Sequence, residues 1–257
     1  MAEHAISWRL ASGLALAVVC GLASPAWAQK PTQADAQDNA WRLQLTPYVW
    51  MAGLNGDIKP LRSGPTGHVN RSFSDILSEL DTAFFLTGTA RKGQAVLHGD
   101  ISHALTSDRS DLPLGLRAKA SVKQTSAALL AGYNWLESGR SNLDTMAGLR
   151  FWDVKAKLAI DGVGDVQSSA SFIDPVLAGR WRSQLASRWS SIVYADIGGF
   201  GVGSRLTWQG MAALNYQWSD GLFFSLGYRY LQVDYRRNGK RLDFNQSGPL
   251  LGATFRF

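Results

Sequence analysis

His98, Asp100 and Ser102 stand at alternate positions of one apolar-rich stretch. In an extended chain alternate side chains share a face, so an imidazole, a carboxylate and a hydroxyl would project together, with His103 on the other side. A hydrolase acting on lipid would need a Ser–His pair on a lipid-exposed wall and a third group to orient the imidazole. Spacing alone brings no hydroxyl within reach of an imidazole, so catalysis is the secondary reading of these residues. The glycine-rich run 198–203 resembles a nucleotide-binding loop only superficially. Ser204 stands where the third fingerprint glycine would be and no helical pattern follows, so the run reads as a close-packed strand end and tight turn. His68, His98 and His103 are irregularly spaced and form no metal motif. No catalytic residue, metal or cofactor is assigned.

A larger set of chemically active residues shares one property, the face on which alternation puts it. Arg91, His98, Asp100, Asp144, Arg150, Asp174, Arg180, Arg182, Asp196 and Arg229 all fall on the face opposite the large apolar residues of their segments. Both signs of charge occur, spread along the chain. Buried charges are costly unless paired and hydrogen-bonded, so these predict an Arg–Asp network inside a polar lumen.

The elements that would hold such a network are long strands. Strand signals cover residues 41–54, 82–91, 94–105, 118–136, 142–158, 168–182, 189–201, 206–218, 222–235 and 247–257. Each is at least as long as the ~9–11 residues a tilted strand needs to cross a bilayer, whereas globular strands usually have about 5–6. Period 2 is clearest in 206–218, where Leu206, Trp208, Gly210, Ala212, Leu214, Tyr216 and Trp218 share an uncharged face. Aromatics near both ends of that face suit lipid-interface girdles. In the next segment Phe224, Leu226, Tyr228 and Tyr230 face outward and Ser225, Gly227 and Arg229 inward. The fold class is therefore all-β: a single antiparallel transmembrane β-barrel of about ten strands, with eight or twelve as alternatives.

Short connections at 91–94, 137–141, 185–188 and 219–221 predict periplasmic turns, and longer ones at 106–117, 159–167 and 236–246 predict outer loops. Residues 55–81 leave three readings open: an outer loop, an extra hairpin around Ser63-Gly64-Pro65, or a segment folded into the lumen. Within them 74–80 has an N-cap serine and Ile76, Leu77 and Leu80 at helical spacing, giving a short surface helix or a lumen plug. Barrels of about eight strands are filled by side chains, and wide aqueous channels need about 16–18. Ten strands with opposed charges thus predict a plugged or very narrow lumen.

The ends of the chain agree. Residues 1–28 read as a signal peptide, with Arg9 before an apolar run and Ala26-Trp27-Ala28 as a cleavage site. Val19 is too bulky to precede a lipidated Cys20, the chain's single cysteine, so no disulfide framework is expected in the mature protein. Residues 29–40 read as a disordered periplasmic tail and 41–257 as the barrel. Gly252, Phe255 and Phe257 resemble the C-terminal assembly signal of outer-membrane barrels, which implies the barrel assembly machinery as a partner. Leu250 stands where that signal usually has a polar residue. The net charge of +6 is not gathered in one tract, and with an export signal it does not point to nucleic acid. Basic residues near the outer end, with Arg236, Arg237, Lys240 and Arg241 as the densest group, would suit lipopolysaccharide phosphates.

The segments at 47–58, 72–81, 173–181, 195–209 and 226–231, followed by 248–257, together resemble a family of proteobacterial outer-membrane β-barrel proteins of mostly undefined role. That resemblance covers nearly all of residues 41–257 in order and implies a cell outer membrane location and one barrel. It transfers no catalytic residue. The function expected is an integral outer-membrane barrel with a polar, mostly filled lumen, structural or a narrow channel for ions or small solutes; the alternative is an outer-membrane lipid-modifying enzyme. Oligomeric state stays open.

Overall fold

The computed structural model describes residues 40–59, 66–111, 117–138, 140–160 and 164–257. The signal at 1–28, nearly all of the tail and the Ser63–Pro65 tip fall outside the described residues.

Among the described residues twelve strands and one short helix form in chain order: β1 (Arg42–Trp50), β2 (Gly53–Lys59), β3 (Gly67–Arg71), α1 (Phe73–Ser78), β4 (Leu80–Lys92), β5 (Ala95–Asp111), β6 (Arg117–Ser138), β7 (Ser141–Ile160), β8 (Gly164–Gln184), β9 (Trp189–Gly198), β10 (Leu206–Gln217), β11 (Leu222–Arg237) and β12 (Lys240–Arg256). Ten of them, β1 and β4 to β12, close into an antiparallel barrel, and the seam is β1 on β12 with Leu45 opposite Phe255 and Trp50 opposite Leu250. Closure leaves the barrel no strand edge to satisfy in lipid.

β2 and β3 are a hairpin outside that ring, hydrogen-bonded to the outer extension of β12. The 41–54 strand signal therefore splits at Met51–Ala52. Met51 N–H still donates to Pro249 O at 2.9 Å, but Pro249 has no N–H to return, and the ladder lapses there before resuming at Gly53 opposite Ser247. The extra-hairpin reading of residues 55–81 is the one found, followed by α1 on the outer side.

The outer connections are shorter than expected because pairing continues beyond the membrane. β6 runs for 22 residues and β8 for 21, and β11 meets β12 at a two-residue turn, Asn238–Gly239. Both turn residues have positive φ, 54° and 76°, as the tightest hairpin turn requires. The polar residues read as loops at 106–117, 159–167 and 236–246 are mostly ladder, since polar side chains do not stop backbone hydrogen bonding.

Outside, the wall is apolar. Leu97, Ile101, Leu129, Leu149, Ile173, Leu177, Val193, Leu214 and Leu226 are all exposed. Trp135, Trp181, Trp189 and Trp218 expose their rings near the tight-turn ends of their strands. A water-soluble protein would not leave such a continuous apolar wall uncovered. A wall of this chemistry around a polar interior belongs in lipid, and the molecule is an integral β-barrel of the cell outer membrane.

Candidate functional site in the barrel lumen

Inward positions supply three layers. At the level of Asp144 (β7), Arg91 (β4) and Arg180 (β8) both donate to one carboxylate, Arg180 Nε at 2.9 Å, and Asn134 Nδ2 reaches its other oxygen at 2.7 Å. One Asp cannot neutralise two guanidiniums, so this layer carries excess positive charge. Arg180 Nη1 also donates to Thr89 Oγ1 at 2.8 Å.

The second layer is a pair of linked clasps. Arg150 (β7) reaches Asp196 (β9) with both terminal nitrogens, at 3.1 and 2.5 Å, the bidentate geometry that makes guanidinium–carboxylate pairs strong. Tyr194 Oη donates to the same carboxylate at 2.7 Å, and Gln209 Nε2 also donates to it. Gln209 Oε1 accepts from Arg229 Nε at 2.9 Å, Arg229 Nη1 reaches Tyr48 Oη at 2.6 Å, and Tyr48 Oη donates to Asp100 at 3.0 Å. The Arg229–Asp100 pair itself spans 3.5 Å, and Arg229 also lies 4.7 Å from the centre of the Trp50 ring. This chain crosses the lumen from β9 through β10, β11 and β1 to β5.

The third layer, in the outer half, is mostly apolar, with Gln124 Nε2 donating to Gln246 Oε1 at 3.0 Å beside it. Trp50, Trp152, Phe172, Leu231, Val233, Tyr235, Leu242 and Phe244 form one buried cluster, with Trp152 only 1% exposed. Phe172 stacks on Tyr235 at 4.5 Å between ring centres and on Trp152 at 6.1 Å. A polar, mostly filled lumen was the expectation from sequence; this half is filled, but largely by apolar side chains. A second apolar group, Val96, Leu130, Met146, Val176, Ala178 and Tyr194, fills the β5–β9 side nearer the periplasm. A cavity of about 110 Å³ lies among β1, β4, β5 and β8–β12, lined by His98, Asp100, Gln209 and Arg229 among others.

Of the ten inward residues read from the sequence, seven thus join ion pairs: Arg91, Arg180 and Asp144, Arg150 and Asp196, and Arg229 with Asp100. Three do not. Asp174 lies opposite Arg150 in register yet is held by Ser204, whose N–H and Oγ donate at 2.7 and 2.8 Å. Arg182 donates to the neutral Gln44 at 3.1 Å, and His98 lies 3.3 Å from Thr89 Oγ1 and 3.4 Å from Arg180 Nη1. Tyr48, Tyr194, Gln209 and Ser204 complete the network and were not singled out from sequence. Their signal was alternation itself, which places all but Ser204 inward.

The glycine-rich run has a structural use. Phe200, Gly199 and Gly201 have positive φ, and a Cβ on Gly203 would sit 2.2 Å from Ile173 O and 2.7 Å from Asp174 Oδ1. The loop must press that closely for Ser204 to clasp Asp174.

The hydrolase geometry does not assemble at His98. Ser102 Oγ bonds Ser126 Oγ at 2.9 Å inside the lumen. His103, facing outward, bonds Thr125 Oγ1 at 2.9 Å, while Asp153 two strands away accepts from Ser171 Oγ at 2.6 Å. Among the described residues no group of three or more His, Cys, Asp or Glu could hold a metal ion. The four basic residues proposed for lipopolysaccharide divide between faces. Arg236 and Arg241 face outward and pair with Asp234 at 2.9 Å and Asp243 at 2.6 Å, whereas Lys240 Nζ reaches Ser169 O at 2.7 Å.

No protein-family model matches the chain, and no curated protein matches it in sequence. Solved structures with similar backbones include the outer membrane protease OmpT from Escherichia coli, at 10% identity over 84% of this chain and 96% of that one, TM-score 0.45. The translocator domain of the autotransporter NalP from Neisseria meningitidis is similar at 13% identity, over 87% of this chain and 92% of that one, TM-score 0.43. The attachment invasion locus protein Ail of Yersinia pestis is similar at 14% identity, over 84% and 98%, TM-score 0.36.

Proposed function

We propose that this protein is a closed, non-enzymatic barrel with a structural role in the outer membrane, its lumen acting as its core. The observation that carries the reading is the stack of fillings along the axis, above all the Trp50–Trp152–Phe172–Tyr235–Phe244 cluster across the outer half. A narrow solute path needs polar groups or water along its length, and this cluster offers a solute mainly aromatic and aliphatic surface, with Gln124 and Gln246 beside it bonded to each other at 3.0 Å. The bidentate Arg150–Asp196 pair below it is tied on both sides and leaves neither charge free to pass an ion along. A structural or narrow-channel barrel was the expectation from sequence; the apolar outer layer favours the structural member of that pair.

Planar-bilayer recording of the purified protein tests this directly. Bilayers held at either polarity across a range of salt should show no unitary current steps. A reproducible single-channel conductance that scales with salt would defeat the reading. For the enzyme alternative, cells with and without the protein should have the same lipid A and phospholipid profile, and an altered acyl or headgroup pattern would restore it.

A further inference from the structure

The tight-turn mouth of the barrel gathers arginines. Arg42 begins β1, Arg256 ends β12, and Arg91 and Arg182 stand near the corresponding ends of β4 and β8. With Gln44 and Asn142 these four line a recess of about 200 Å³ that opens toward the periplasm. Arg42 and Arg91 are directly opposite in the β1–β4 ladder, an arrangement of like charges that destabilises a sheet. Asp144, the acid paired with Arg91, is already shared between Arg91 and Arg180. Neither Arg182 nor Arg256 makes an ion pair with a described residue: Arg182 donates to Gln44, and Arg256 lies 4.5 Å from the Phe223 ring centre.

Two buried arginine donors are also unfilled, one on a residue that lines this recess and one on a neighbour that lines the lumen cavity above it. Arg182 Nε and Arg180 Nη2 have no hydrogen-bond partner, and Arg180 is 5% exposed. A guanidinium nitrogen left unpaired away from water is expensive, and the cost is relieved when an acceptor arrives. Planar guanidiniums converging from several strands suit a compact anion with oxygens in several directions.

We infer that this vestibule is a binding site for a phosphate-class oxyanion carrying at least two negative charges, held chiefly by Arg182, Arg256 and Arg91 and taken from the periplasmic side. The site is independent of whether the lumen conducts, because it lies at the mouth, on the near side of the ion-pair layers.

The test uses the full barrel refolded into phosphatidylcholine vesicles, with inorganic pyrophosphate as the probe and sodium chloride at matched ionic strength as the control. The unfolding midpoint should rise with the logarithm of pyrophosphate concentration, as expected for a ligand that binds the folded state alone. Arg182→Gln with Arg256→Gln should weaken the apparent affinity by about tenfold or more, the loss expected for charged hydrogen bonds. Gln44→Glu keeps the fold while placing a carboxylate beside Arg182. It should raise the midpoint in the absence of anion and abolish the response to pyrophosphate. Vesicles containing phosphatidylglycerol separate the two sources of phosphate. Loss of the pyrophosphate response there identifies a lipid headgroup as the occupant, and an unchanged response identifies a free anion. An equal response to sodium chloride, or an unaltered pyrophosphate response in both the double variant and Gln44→Glu, would overturn the site.

Discussion

Asp196 is the residue on which most of the lumen network converges. It accepts from both terminal nitrogens of Arg150, from Tyr194 and from Gln209. Removing one partner of a buried pair strands the other charge, which costs about 3–5 kcal/mol, whereas replacing both with apolar groups is often close to neutral. Asp196→Ala should therefore lower stability by about that amount, while Arg150→Met with Asp196→Leu should lose much less, as read by urea unfolding in lipid vesicles. Equal losses would mean that the pair holds nothing together. Alternation made Arg150 and Asp196 legible as inward residues but could not choose their partners. The register sets Asp174 beside Arg150, yet the two do not pair. Instead Ser204 reaches Asp174 from a loop that no local pattern places. Ser204→Ala should leave Asp174 with one donor and cost about 1–3 kcal/mol, against little effect from Ser187→Ala in a tight turn.

At the level of elements, the ten wall strands were readable because each carries one lipid face at period 2, and lipid tolerates no exceptions there. Their outer ends were not. Beyond the membrane both faces meet water, the alternation stops carrying information, and 106–117 and 236–246 read as loops although the ladder continues through most of them. Asn238–Gly239 was a turn signal in plain view. The helix at 73–78 was legible from the spacing of Ile76 and Leu77, but its cap stands two residues before the serine read as the cap at 74–80: Ser72 Oγ accepts from Asp75 N–H at 3.3 Å, and Asp75 accepts from Ser72 N–H at 2.9 Å. Those bonds to Ser72 hold the Asp75 carboxyl below its ordinary value of 3.8. A depressed carboxyl contributes stability that is present above the ordinary value and is lost as pH falls through the lower folded value. Ser72→Ala should move Asp75 upward toward the ordinary carboxylate range in a carboxyl-carbon NMR titration, the backbone N–H at residue 72 still donating to it, and loosen α1 without changing the barrel. A titration of Asp75 that does not move would show that the cap is not formed in solution.

For the molecule as a whole, the decisive question is what the wall faces. Along β6 the outward residues run from Trp135 and Tyr133 through Ala131, Leu129 and Ala127 to Thr125, where polar groups begin. The neighbouring strands change at the same row: Ile101, Phe151 and Ile173 are followed by His103, Asp153 and Ser171. That places Leu129, 68% exposed, near the middle of the apolar band. The lumen obeys no such band. Trp152 and Phe172 face inward beside the outward Phe151 and Ile173, so apolar residues occupy both faces there and the simple inside-polar expectation fails. Lipid dictates only the outside; the inside of a ten-strand barrel is a protein core, free to be salt-bridged or aromatic provided it is filled. The two environments predict opposite responses to one chemical change. Leu129→Arg puts a charge at mid-bilayer and should cost about 2–4 kcal/mol, while Leu105→Arg, two outward positions above Ile101, should cost about 0–1 kcal/mol. Both would be measured by reversible unfolding in phosphatidylcholine vesicles. Equal costs would mean that the outward face does not cross a bilayer at the depth its pattern assigns. A graded cost along β5 and β6 would fix the barrel's height in the membrane from the outside, without reference to anything in the lumen.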